Sequence, residues 1–387
     1  MMLLWCLLSC KGEGVLGQVT TADTAHDAAS VELSWSSPPL AGPLGGSQHH
    51  ATAALRDDGL GMVIYSDDER LRAALVGDDV LHPTSLDAQA NHGQIRASPE
   101  GWVAVATLNG GDWLAATRFG LDGEALGAAT LVSSSHVFLP DLATTDEGGV
   151  AVSTDLADMG CYRFTHPISA TSEVPCPQRI DMTAAIGTVI VDDGPDGTVV
   201  GWTELRPDGS LGVYATPGGD AATPYVIDEL AWGAGMAGRP MLAVHEGQHL
   251  FVWRGASAPD RPVGSWLQAF RDGEPAGERY ALGDASTGDD VERPALAGPA
   301  AGLVVVAFEQ GDGLWVQVRD AGDGAERGAA MRADDEPGRV PRRPSLDLVE
   351  VDGEVHGLVS WEAALPGSEV ESADRRLRVR PFRVGGD

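Results

Sequence analysis

The sequence predicts an all-β fold: a seven-bladed β-propeller of four-stranded antiparallel blades, closed by an N-terminal strand. Three observations carry this expectation. One unit recurs about seven times at a spacing of roughly 45 to 55 residues, the period of propeller blades. Inside each unit apolar side chains alternate or run continuously over short stretches bounded by Gly, Asp and Pro, as strands and tight turns do. No stretch of about 15 residues places apolar side chains at i, i+3, i+4 and i+7, as an amphipathic helix would.

The unit is clearest from Pro294 to Met331: PALA, the turn GPAAG, the apolar run LVVVAF, the turn EQGDG, the alternating LWVQVR, the turn DAGDG and a short return strand. Variants precede and follow it. In chain order their apolar second strands read GMVIY, WVAVAT, GVAVST, TVVGW, HLFVW, then LVVVAF itself and VHGLVSW. DG, GG and PDG turns supply the positive φ that tight hairpins need. A four-stranded sheet with two apolar faces cannot bury both alone, and radial stacking of such sheets solves the problem. The seventh unit reaches Phe382 with little room for a fourth strand, whereas Val31-Glu32-Leu33-Ser34-Trp35 alternates as a strand does before the first unit. That stretch is expected to fill the gap, with Leu33 pairing near Val379.

Formal net charge is -31, from 57 acidic and 26 basic residues, and Lys11 is the only lysine. So acidic a surface repels nucleic acid and anionic headgroups, which excludes both as partners of the folded body. Acidic pairs such as Asp57-Asp58, Asp289-Asp290 and Asp334-Asp335 fall at expected turns, where they serve solubility. Without a lysine beyond Lys11 there is no P-loop and no Schiff-base site. GxSxG is absent as well, which removes that class of serine hydrolase.

Met1 to Cys10 reads MMLLWCLLSC. The segment is too short to span a bilayer, which takes about 20 apolar residues. Leu7-Leu8-Ser9-Cys10 resembles the lipobox of bacterial lipoproteins, although a basic n-region is missing and the apolar stretch is short. The resemblance implies a signal peptide over 1–10, lipid attachment at Cys10, palmitate among the acyl chains, and a location in the cell envelope, on the periplasmic or outer-surface side. Residues 11–46, rich in Gly, Ala, Ser, Thr and Asp, then form a flexible tether holding the closing strand near 31–35, and 47–387 form the propeller. That body resembles secreted bacterial β-propeller proteins with degenerate repeats.

Cys161 and Cys176 both belong to the third unit, fifteen positions apart on neighbouring strands. A disulfide is the expected state in a secreted protein, with free thiols or a metal pair as alternatives.

His245-Glu246-Gly247-Gln248-His249 matches HExxH, the zinc-peptidase pattern. That chemistry needs a helix to bring both rings to one side, and the match sits where every other unit has its first turn. On extended chain, positions i and i+4 lie about 13 Å apart, too far for one metal. His245, Glu246 and His249 are therefore expected to form a turn, and no metal or other cofactor is expected. His49-His50 reads as surface decoration. Trp202, Trp253 and Trp361, with Tyr65 and Phe308, end second strands; they could ring the mouth for sugar stacking or pack between blades, and equivalent neighbours favour packing. The functional expectation is a monomeric, non-enzymatic binding or scaffold propeller for a protein or glycan ligand, touching the membrane only through its anchor. The alternative is a glycan hydrolase or lyase that uses carboxylates at the mouth.

Overall fold

The computed structural model describes residues 30–386 apart from 43–46, 68–69, 78–80, 109–112, 136–137, 146–147, 155–157, 166–167, 169–170, 177–183, 193–196, 209, 217–222, 231–238, 256–263, 288, 337 and 366–374. Cys10 and the lipobox-like leader lie outside them. Among the described residues helical structure is limited to the 3-10 turn Ala285–Thr287. No helix there is long and apolar enough to cross a membrane.

The chain is a seven-bladed β-propeller of antiparallel four-stranded blades. The innermost strands, in blade order, are Gln48–Leu55, the second half of Leu81–Ser98, Phe138–Thr145, Ala184–Asp192, Met241–His245, Val291–Ala300 and Val340–Val351. The second strands are Gly61–Asp67, Gly101–Leu108, Gly148–Thr154, Thr198–Leu205, Gln248–Gly255, Leu303–Gln310 and Glu354–Ala364. Leu81–Ser98 runs unbroken from the outer edge of blade 1 to the centre of blade 2, so those two blades share one continuous strand.

The ring closes through the N-terminal strand. Val31–Trp35 is the outer strand of blade 7 and pairs with Arg375–Gly386, its third strand. The expected partner strand is correct and the register differs. Leu33 faces Val384, and Val379 faces Leu40 of the short strand Leu40–Ala41. Trp35 stands edge-on to Phe382 at 5.9 Å and Arg380 lies 4.4 Å over its ring, which fixes the closing strand from both sides.

Seven apolar clusters form the core among the described residues, one at each junction between neighbouring blades. The cluster at the seam joins Ala53, Val63 and Tyr65 of blade 1 to Leu358, Leu377 and Val379 of blade 7. An open arc of seven sheets would have six such junctions, so the seventh is the physical signature of closure. Tyr65, Trp202, Trp253, Phe308 and Trp361 are all buried in these clusters, so they pack blades together and do not ring the mouth. The Trp253 indole N–H donates to Asp228 on blade 4 at 2.8 Å, satisfying its one polar atom across the junction.

Polar seams run beside the apolar ones. The buried Asp141 of blade 3 accepts from the Ile190 N–H of blade 4 at 2.9 Å, and Asp347 of blade 7 accepts from Leu55 N–H of blade 1 at 2.7 Å. Burial pushes the Asp347 carboxyl above its ordinary range, against the backbone N–H of Leu55 and the charge of Arg96. Asp334, expected in a solvated turn, is instead buried and accepts from Leu314 N–H at 2.6 Å.

Cys161 and Cys176 form a disulfide, Cα–Cα 5.3 Å, tying the third strand of blade 3 to the chain just past its outer strand Thr171–Val174. Closing a loop of this size stabilises by about 3 kcal/mol in the chain-entropy account.

Two measurements check this fold. Leu33→Asp puts a charge into the cluster between blades 6 and 7, where the closing strand packs, and is expected to cost roughly 3 kcal/mol or more in chemical denaturation; a loss within error of zero would mean that the N-terminal strand is not part of the ring. A carboxyl raised in the folded state holds its proton more tightly there than in the unfolded chain. The Asp347 contribution is therefore present at low pH and lost as pH rises through the interval above the ordinary carboxyl value. Urea denaturation at several pH values is expected to show a shallower fall of stability with rising pH in Asp347→Asn than in the parent.

Candidate functional site

Antiparallel pairing sends the first residues of inner and third strands to the same end of the ring as the last residues of second strands. At that end a pocket of about 520 Å³ opens across blades 5 to 7. Its lining includes Arg254 from blade 5, Asp289, Asp290, Glu292, Arg293 and Glu309 from blade 6, and Arg342, Arg343 and Arg375 from blade 7. The chain as a whole carries 57 acidic residues against 26 basic ones. The pocket reverses that proportion, with five arginines against four carboxylates. An anion repelled by the rest of the surface meets no net repulsion here.

A repeated backbone device aims these side chains. The inner strands of blades 1, 3, 6 and 7 each carry a bulge near their start. The bulged residues His50, Leu139, Arg293 and Arg343 have φ of 54°, 44°, 42° and 50°. Left-handed backbone at non-glycine residues is strained and persists only where its surroundings hold it. Bulges also re-aim side chains at rims. Two carboxylates hold two of these bulges, each reaching forward from the preceding blade. Glu309 accepts from Arg343 N–H at 2.7 Å, and Glu362 accepts from His50 N–H at 2.6 Å.

The same carboxylates gather the arginines. Glu309 takes Arg293 at 2.9 Å and Arg342 at 3.0 Å. Burial pushes the Glu309 carboxyl above its ordinary range, against the pull of Arg293 and Arg342. Glu362, fully buried, pairs with Arg375, whose side chain is only 4% exposed, and lies 3.4 Å from Arg343. Arg254 donates to Glu292 at 3.0 Å. Burying both members of an ion pair costs desolvation that is recovered only when further hydrogen bonds complete the pair, as the His50 N–H does for Glu362.

The pocket continues around the mouth. Arg343 Nη1 lies 2.9 Å from His50 Nε2 of blade 1. The His50 and His92 rings are 4.0 Å apart, and His92 meets Phe138 of blade 3 edge-on at 5.7 Å. His49-His50, read as surface decoration, is therefore half-buried at the mouth, with His50 in contact with the arginine pocket.

The HExxH match lies at the other end of the ring. Met241–His245 and Gln248–Gly255 form a hairpin in which Glu246 (φ 50°) and Gly247 (φ 70°) make the turn and His245 faces Gln248. Ala301-Gly302 and Asp352-Gly353 make the corresponding turns of blades 6 and 7 with the same pair of positive φ values. His249 is buried, with Nδ1 2.8 Å from the Tyr225 hydroxyl. His245 and His249 thus sit on the two strands of a hairpin whose turn is Glu246-Gly247. Among the described residues no three His, Cys, Asp or Glu side chains gather as a metal site would require.

No protein-family model and no curated protein matches the chain. Among solved structures, it is similar to a protein of unknown function from Dyadobacter fermentans, with TM-score 0.52 and 10% identity over 92% of this chain and 98% of that one. The fucose-specific lectin from Aleuria aurantia aligns at TM-score 0.47 and 12% identity over 78% of this chain and 100% of that one. The Penicillium chrysogenum alpha-L-arabinanase aligns at TM-score 0.40 and 12% identity over 64% of this chain and 95% of that one. The first similarity shows a shared fold, and the other two are too distant to carry an argument.

The Glu362–Arg375 pair supplies the test of the site's architecture. Glu362→Ala leaves a buried guanidinium without its counter-charge and is expected to cost about 3–5 kcal/mol in denaturant unfolding. Adding Arg375→Met should restore much of that loss, because the pair is coupled. Equal and additive losses would contradict the pairing.

Proposed function

We propose that this protein is a non-enzymatic binding propeller of the cell envelope, which holds a glycan or protein ligand at the arginine-lined mouth. One observation carries the reading. The buried carboxylates there, Glu309 and Glu362, are committed to backbone N–H groups of the next blade and to arginines. A general acid must have a proton to give and a general base a free lone pair aimed at substrate. Carboxylates that clamp strained bulges and position guanidiniums build a recognition surface instead. The pocket volume of about 520 Å³ suits a ligand of one or two sugar rings or a few side chains. Attachment through Cys10 rests on the LLSC leader, and the Cys161–Cys176 disulfide supports an oxidising compartment.

A second reading, a glycan hydrolase or lyase, is favoured by Asp289, Asp290 and Glu292, which line the same pocket without clamping a bulge. The two separate in one experiment. Equilibrium titration of the purified full chain against a glycan panel is expected to show saturable binding that Arg254→Ala weakens, with every bound glycan recovered intact. Time-dependent cleavage abolished by Glu292→Gln would replace the binding reading with the enzymatic one. Cys10→Ser is expected to move the protein from the membrane fraction to the soluble one, and an unchanged distribution would overturn the anchor.

A further inference from the structure

We infer that the ligand is an acidic glycan lying across the mouth, its anionic groups on the arginines of blades 5 to 7 and a sugar ring against Phe138 of blade 3. This rests on the binding reading above and assigns its ligand class.

The anionic half follows from the pocket. Arg375 is almost wholly buried, yet its Nε makes no hydrogen bond among the described residues, and the same is true of Arg254 Nε. Both residues line the pocket. An anion in the pocket would offset part of the cost of burying these guanidiniums through its charge, without having to reach the buried Nε atoms. Arg293 adds a side chain that is 43% exposed, able to keep Glu309 and still present donors to the pocket. Planar guanidinium forks match carboxylate and sulfate oxygens, two donors to two acceptors.

The glycan half follows from the track leading away from the pocket. Arg343, His50, His92 and Phe138 are in successive contact through blades 7, 1, 2 and 3. The track ends on Phe138, a large apolar ring left 38% exposed at the mouth. Trp113, 47% exposed, starts the third strand of blade 2 at the same end of the ring. An aromatic face with polar neighbours suits the C–H face of a pyranose, which is apolar while its edges carry hydroxyls. A ligand that is charged along one stretch and pyranose-faced along the next satisfies both halves at once. A free small anion would use the arginines and leave the aromatic end idle.

The test is calorimetric titration of the full chain with four probes of matched length: tetragalacturonate, its methyl ester, a sulfated tetrasaccharide and an oligoglutamate. An anionic tetrasaccharide is expected to bind about tenfold or more tighter than the uncharged ester, the loss expected for a charge-assisted contact. The stronger of the uronate and the sulfated probe identifies the anionic group. Arg293→Ala should bring the acid down to the affinity of the ester, and Phe138→Ala should weaken acid and ester by the same factor of several. Both substitutions fall on partly exposed side chains, and matched melting temperatures confirm an intact fold. Equal affinity for acid and ester, an oligoglutamate that binds as tightly as the anionic glycan, or no effect of Phe138→Ala overturns the ligand class while leaving a binding protein. Absence of binding by all four probes overturns the ligand class, and the binding reading falls with it only if the glycan panel also shows no saturable binding.

Discussion

Each sheet of this protein has two apolar faces, and a sheet has no means of covering both by itself. That constraint governs the rest of the structure. Every blade borrows a neighbour on each side, so stability is shared around a circle, and the circle holds only if its two ends meet. They meet in blade 7, where a strand from the beginning of the chain lies against the strand that ends it. Closure also removes the sheet edge that an open arc would present to other chains.

Four carboxylates reach in the same direction around the ring. Asp141, Glu309, Asp347 and Glu362 each reach to a backbone N–H of the blade that follows. Two of these contacts cross the seam between the last blade and the first. The candidate site inherits that geometry, because Arg343 and Glu362 come from blade 7 while His50 comes from blade 1. Candidate site and ring closure are thus parts of one arrangement: a seam that opened would separate the groups that build the mouth.

Much of the architecture was legible in the sequence because it depends on period and polarity alone. Alternating strands, turns at regular intervals, the closing stretch VELSW and the hairpin over His245–His249 all follow from local patterns. The interior place of Trp202, Trp253 and Trp361 followed from their recurrence, since equivalent positions meet equivalent neighbours. The register of closure was less accessible. Leu33 and Leu40 both match an apolar partner strand, and only the three-dimensional path decides which of them meets Val379.

The mouth was largely hidden, although a trace of it is visible in retrospect. Arg-Pro marks the start of the inner strand in blades 5, 6 and 7, at Arg239 just before it and at Arg293 and Arg343 inside it. Without knowledge of the bulge, those arginines read as the polar ends of loops. Nothing in the sequence says that the second-strand residues Glu309 and Glu362 point carboxylates at the next blade. His50 and His92 belong to different units and meet only because inner strands converge on the axis. Hydrogen–deuterium exchange measured residue by residue in the native protein tests the central claim, the closed ring, most directly. In a closed ring the bonded amides of Val31–Trp35 are protected to the same degree as those of Glu354–Ala364. Exchange of the N-terminal stretch at the rate of free peptide, with blade 7 otherwise protected, would contradict it.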